Sequence, residues 1–115
     1  MNILITGSSQ GIGKAIAEKF LSERHNVIGI DRNPSTIDHP LYVHYICDIR
    51  DYEALPQVQD VEILINNAGV QNEDDINVNL KALIHITEKY GLQKNIKSIL
   101  NIGSASAHTG SEFPE

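Results

Sequence analysis

The sequence predicts an α/β fold, an open sheet of parallel strands with helices packed on it. Two observations carry this. Five short runs rich in apolar and β-branched residues alternate with two stretches of helical periodicity, and glycines cluster where the first strand gives way to the first helix. Residues 2–6 ("NILIT") form the first strand. Residues 11–22 read as a helix, because Ile12, Ile16 and Phe20 recur every four residues with Ala15 and Ala17 beside them. Residues 26–30 are the second strand, and "DRNPSTIDHP" after it is a loop by its Pro, Asn, Asp and Ser content. The third strand is 41–46, followed by "DYEALPQVQ", which holds at most one helical turn before Pro56. The fourth strand is 63–66. From about residue 75 to Tyr90 a second helix carries Val78, Ala82, Ile86 and Tyr90 on one face. Asn72, Asp74 or Asp75 caps its start, and Gly91 stands where a left-handed residue would end it. Residues 98–102 are the fifth strand. None of the strands alternates cleanly, as expected of strands covered on both faces.

Composition excludes several classes of function. The 115 residues suffice for one domain with a modest core, and 41% of them are hydrophobic. No apolar run approaches the roughly 18 residues of a membrane span. A net charge of -6 argues against non-specific nucleic-acid binding. The single cysteine, Cys47, excludes an intramolecular disulfide and suits a reducing compartment. The chain opens on "MNILITG" without a basic and apolar leader, so a cytoplasmic location is expected. No metal site is expected.

Gly7, Gly11 and Gly13 in "TGSSQGIG" are spaced G-x3-G-x-G. Glycine allows φ > 0 in a tight turn, lets backbone approach a pyrophosphate, and lets a helix sit close on a strand. The N–H groups near Ile12 and Gly13 would then face an anion along the helix dipole. A glycine-rich turn without a ligand is the plain alternative. Asp31 closes the second strand 20 residues after Gly11, where a carboxylate can accept both hydroxyls of an adenosine ribose and repel a 2′-phosphate. A solvated loop aspartate is the alternative there.

At these residues the chain resembles the N-terminal, cofactor-binding part of the short-chain dehydrogenase/reductases, a family of NAD(P)-dependent oxidoreductases. "TGSSQGIG" is similar to the family's cofactor loop, in which Ser9 is a further binding residue. Asp48 in "CDI" matches the acid that meets the adenine amino group, with Ile49 offering a backbone contact. "NNAG" matches the fourth-strand motif on the cofactor floor, which brings in Asn67, Ala68 and Gly69. "NIGSASA" matches the end of the fifth strand, with Ser104 at the catalytic serine, and Asn79 in "INVNL" aligns with an asparagine that holds a water for proton relay. The resemblance implies a Rossmann-type doubly wound parallel sheet in strand order 3-2-1-4-5, incomplete at the C-terminal side. It implies a single NAD(P)-binding domain over residues 1–115, hydride transfer between nicotinamide and a secondary alcohol or ketone, and a homodimer or homotetramer as the full-length chain. NAD is expected over NADP because of Asp31; Arg32 beside it is the competing feature, since a guanidinium could hold a 2′-phosphate.

The chain also departs from the family pattern. The Tyr-x3-Lys pair that follows the serine in relatives falls beyond Glu115, so residues 1–115 alone are expected to be inactive, as a fragment or a truncated product. Tyr90 and Lys94 have the same spacing but precede Ser104, and they read as a helix-terminal tyrosine beside a surface lysine. Asp48 to Asn66 and Asn67 to Asn79 are both shorter than usual, which leaves the substrate open. A non-catalytic dinucleotide-binding module is the alternative to the enzyme.

Overall fold

β1 (Asn2–Thr6) runs through the middle of a five-stranded parallel sheet in a computed structural model that describes residues 1–68 and 76–102. The strand order is β3-β2-β1-β4-β5, with β2 at Asn26–Asp31, β3 at Tyr42–Ile46, β4 at Ile63–Asn66 and β5 at Ser98–Asn101. This is the predicted order. Helix α1 (Gly11–Ser22) joins β1 to β2, and α2 (Ile76–Tyr90) precedes β5.

The missing alternation in β1 has a direct cause. Ile3 and Ile5 pack with Val27 and Ile65 beneath Ala17 and Leu21 of α1, while Leu4 points the other way into a cluster with Ile30, Leu64, Ile86 and Tyr90. Both faces are apolar because both are covered. Full burial of each such side chain is worth about 1.5–3 kcal/mol. The sheet edges differ. The β3 residues Val43, Tyr45 and Ile46 and the β5 residues Ile99 and Leu100 are exposed. No α-helix lies between β2 and β3, and only one 3₁₀ turn (Tyr52–Ala54) lies between β3 and β4.

Three details depart from the sequence reading. The buried stripe of α1 is Gly13, Ala17 and Leu21, one residue on from the predicted stripe; Ile12 is 59% exposed, and Ile16 and Phe20 only flank the core. The line starts with the small residues Gly13 and Ala17 because the start of the helix lies so close to the end of β1. On α2, Ala82, Ile86 and Tyr90 are buried as expected but Val78 is exposed. Gly91 is not left-handed: among the described glycines only Gly7 and Gly11 have positive φ. A Cβ at Gly91 would lie 2.6 Å from the Thr87 carbonyl oxygen and 2.9 Å from Ile99 Cδ1, so close approach explains this glycine. The proposed caps Asn72, Asp74 and Asp75 lie outside the described residues.

Candidate functional site

The C-terminal ends of β1, β2, β3 and β4 gather along one edge of the sheet, where open α/β sheets bind ligands. A cleft of about 330 Å³ opens there, lined by Gly7, Gln10, Gly11, Ile12, Asp31, Arg32, Asn33, Cys47, Asp48, Ile49, Arg50, Asn67 and Ala68. Nine of the residues singled out in the sequence, Gly7, Gly11, Ile12, Asp31, Arg32, Asp48, Ile49, Asn67 and Ala68, are thus brought together.

The three glycines do different work. Gly7 has φ +76°, and a Cβ there would sit 2.8 Å from Asn67 Nδ2. Gly11 has φ +63° and nothing within 4 Å of its Cβ position, so its missing side chain leaves the cleft open. Gly13 faces inward: a Cβ would overlap the Gly7 carbonyl oxygen. It seats α1 against β1 and does not line the cleft. Gln10, the N-cap of α1, makes no side-chain cap, and the first turn holds no acidic residue. The helix therefore presents its first N–H groups and its positive end toward the cleft with no protein carboxylate in that turn.

β4 forms the opposite wall. Thr6 Oγ1 accepts hydrogen bonds from the backbone N–H groups of Asn67 (3.0 Å) and Ala68 (3.1 Å), and Asn67 Nδ2 donates to the Gly7 carbonyl (2.9 Å). Asn66 turns the other way, its Nδ2 donating to Asn101 Oδ1 on β5 at 3.0 Å.

Two carboxylates mark the far end. Asp31 is buried, at 9% exposure, and its two oxygens accept from the backbone N–H of Asn33 (2.9 Å) and of Ser9 (3.0 Å). Ser9 itself does not line the cleft; its Oγ donates to the Asn33 carbonyl and its own carbonyl accepts from Thr36. Its work is to hold Asp31 from behind. Asp48 follows β3, which pairs Ile46 with Asp31. Oδ1 of Asp48 accepts from the backbone N–H and Nε of Arg50, and Oδ2 accepts from Arg50 Nη2 at 2.7 Å. This fork draws the Asp48 carboxyl down to about 2, with a weaker pull from Arg32. A carboxylate offers roughly four acceptor positions. Among the described residues Asp31 uses two, leaving room for two hydroxyls, and Asp48 uses three, leaving room for one amino N–H.

Sequence reasoning missed Arg50, Asn33, Gln10 and Cys47 on the cleft wall. An arginine two residues after an aspartate signals a local fork; the other three carry no signal of their own. Asn79 is half-buried near the start of α2. Gly69 and Ser104 lie outside the described residues. Tyr90 lies buried in the core, where its hydroxyl donates to the Pro56 carbonyl at 2.6 Å, and burial pushes its phenol up. A proton-transfer tyrosine needs the opposite shift. No described helix is long and apolar enough to cross a membrane.

The open sheet, glycine turn and paired acids define a dinucleotide-binding α/β domain in form. The short chain dehydrogenase profile matches residues 1–113, and the chain belongs to that family. It is 29% identical to the 3-oxoacyl-(acyl-carrier-protein) reductase MabA of Mycobacterium avium, over 95% of this chain and 51% of that protein. A D-xylose 1-dehydrogenase of Caulobacter vibrioides is 28% identical over 96% and 56%. Among solved structures, a short chain dehydrogenase from Leptospira borgpetersenii with bound NAD+ superposes with TM-score 0.77 at 24% identity, covering 99% of this chain and 54% of that one. A C-terminal deletion mutant of Thermoplasma acidophilum aldohexose dehydrogenase gives 0.71 at 27% identity, covering 96% and 54%. The chain spans about half the length of the curated relatives it matches.

Proposed function

We propose that the cleft binds NAD in preference to NADP, and that these residues are the cofactor-binding part of an oxidoreductase acting on a secondary alcohol or ketone. The observation that carries the reading is Asp31: a buried carboxylate, fixed by two backbone N–H groups, with two acceptor positions left. Gly11 and the uncapped start of α1 fit a pyrophosphate, because a side chain at Gly11 would fill the space it needs. The remaining acceptor position of Asp48 suits the adenine amino group, and Asn67 and Ala68 form the wall beside Gly7. The nicotinamide supplies hydride chemistry when bound. Asp31 disfavours a 2′-phosphate by like charge at close range; Arg32, which is exposed, would need Asp31 to move aside before it could hold one.

Ser104, at the family's serine position, hydrogen-bonds the substrate oxygen, and Asn79 holds a water for proton relay. Residues 105–115 contain no tyrosine or lysine, so the tyrosine and lysine that would follow Ser104 in this reading are not among residues 1–115. The single cysteine suits a reducing compartment, which supports work in the cytoplasm, and exposed Ile99 and Leu100 on β5 support self-association of residues 1–115. Dissociation constants for NAD and NADP test the reading. NAD should bind at least about tenfold tighter, a difference of about 1.4 kcal/mol, and Asp31→Ala should narrow or reverse the gap. Tighter binding of NADP by the unaltered protein would refute it.

A further inference from the structure

The β2–β3 connection, residues 32–41, contains no helix, yet it delivers Arg32 and Asn33 to the cleft directly after Asp31 at the end of β2. Ser35 bonds Ile37 and His39 bonds Leu41 within it, and side chains from other elements reach in to hold its start. Ser8 is fully buried in the turn after β1, and its Oγ lies 2.7 Å from the Tyr42 hydroxyl. That hydroxyl lies 2.7 Å from His44 Nδ1, and His44 Nε2 lies 2.9 Å from the Asn33 carbonyl oxygen. Tyr42 and His44 are two apart on β3, so they share a face of the sheet.

The direction of this chain follows from its last member. A carbonyl oxygen only accepts, so His44 Nε2 carries the hydrogen. In the neutral imidazole Nδ1 then accepts from Tyr42, which leaves the tyrosine oxygen to accept from Ser8. Burial pushes the Tyr42 phenol up, so it stays a protonated donor. Gly29, which pairs with His44 across β2 and β3, makes room for the chain: a Cβ there would overlap Tyr42 Oη and Ser8 Oγ. The Asn33 carbonyl also accepts from Ser9 Oγ, and the Asn33 N–H donates to Asp31 Oδ1.

We propose that Tyr42 and His44 are positioning residues for the ribose end of the cleft, holding Asn33 so that Asp31 keeps its carboxylate turned toward the ribose hydroxyls. This rests on the reading of the cleft as a dinucleotide site. Neither residue reaches the cleft; both act through Asn33 and thereby set how strongly the 2′-hydroxyl is recognised.

The test compares NAD with its 2′-deoxyadenosine analogue on the unaltered protein and on Tyr42→Phe, His44→Ala and His44→Gln. Tyr42→Phe keeps the ring, and glutamine carries an acceptor and a donor side by side as imidazole does. The unaltered protein should bind NAD at least tenfold tighter than the analogue. Tyr42→Phe and His44→Ala should reduce that preference to threefold or less while affinity for the analogue holds, and His44→Gln should restore most of it. Amide hydrogen exchange at Asn33, read without ligand, should quicken at least tenfold in the first two variants. An unaltered protein with no preference for NAD over the analogue would overturn the ribose reading of Asp31. A preference kept in both variants, or equal weakening of both ligands, would overturn the positioning role alone.

Discussion

Gly13 and Gly11 stand two residues apart in one turn, and their substitution by alanine should fail in different ways. At Gly13 the added methyl would overlap the Gly7 carbonyl oxygen, which already accepts from Asn67 Nδ2. Both contacts are to groups tied down elsewhere: Gly7 N donates to the Ile30 carbonyl, and the Asn67 N–H donates to Thr6. The helix must therefore lift. Overpacking of this kind costs about 1–3 kcal/mol, and loss of the Asn67 to Gly7 hydrogen bond about 1 kcal/mol more. Alanine's higher helix propensity returns about 1 kcal/mol. Gly13→Ala should thus cost about 1–3 kcal/mol, and at about 4 °C per kcal/mol Tm should fall by about 4–12 °C. Gly11→Ala meets no atom within 4 Å, so only its positive φ is penalised, at about 1 kcal/mol. Its methyl, however, enters the cleft, and NAD affinity should drop at least tenfold. Thermal melts and titration calorimetry on both variants read the two effects separately. A Gly13→Ala protein with unchanged Tm and lost affinity would place Gly13 at the ligand and refute this division of labour.

The Asp48–Arg50 fork should appear in acid. The folded carboxyl titrates at about 2 against an ordinary 3.8, so the pair stabilises fully above about pH 4 and is lost as pH falls toward 2. The shift alone corresponds to about 2.5 kcal/mol, but with side-chain exposures of 39% and 33% solvent screening cuts this to about 1 kcal/mol. Arg50→Ala should lower Tm at pH 7 and match the unaltered protein near pH 2; a Tm gap independent of pH would refute the assignment. Tyr90→Phe should cost about 1 kcal/mol through the unpaired Pro56 carbonyl and leave NAD affinity unchanged. A loss of cofactor binding in that variant would make Tyr90 more than a core residue.

The strands and helices were legible because the periodicities that mark them come from burial on both faces. β1, α1 and β4 have their predicted limits, and β2, β3 and β5 differ by one residue at one end. The glycines were legible as a group, but not their separate roles. Which of them faces the sheet depends on how closely α1 approaches β1, and that distance is a property of the packed pair. For the same reason the buried line of α1 moved from Ile12 to Gly13. Asp31 was legible from its spacing, whereas the N–H groups of Ser9 and Asn33 that hold it belong to loops with no periodic signal. Arg50, His44 and Tyr42 look like ordinary edge and loop residues until the sheet places them.

The strand order also sets a schedule for a chain emerging from the ribosome. β1 is made first, but its partner β4 pairs Ile3 with Ile63, 60 residues later. At about 5–20 residues per second, the interval is roughly 3 to 12 s. During it β1, β2 and β3 can pair and receive α1, so Ile3, Ile5 and Val27 are sheltered early. Leu4 and Ile30, on the other face, have only Cys47, Leu55 and Val61 of their cluster before Leu64, Ile86 and Tyr90 arrive. A nascent chain of this design carries a one-sided apolar sheet for seconds, a surface that a chaperone would meet before the Asn67 wall of the cleft exists.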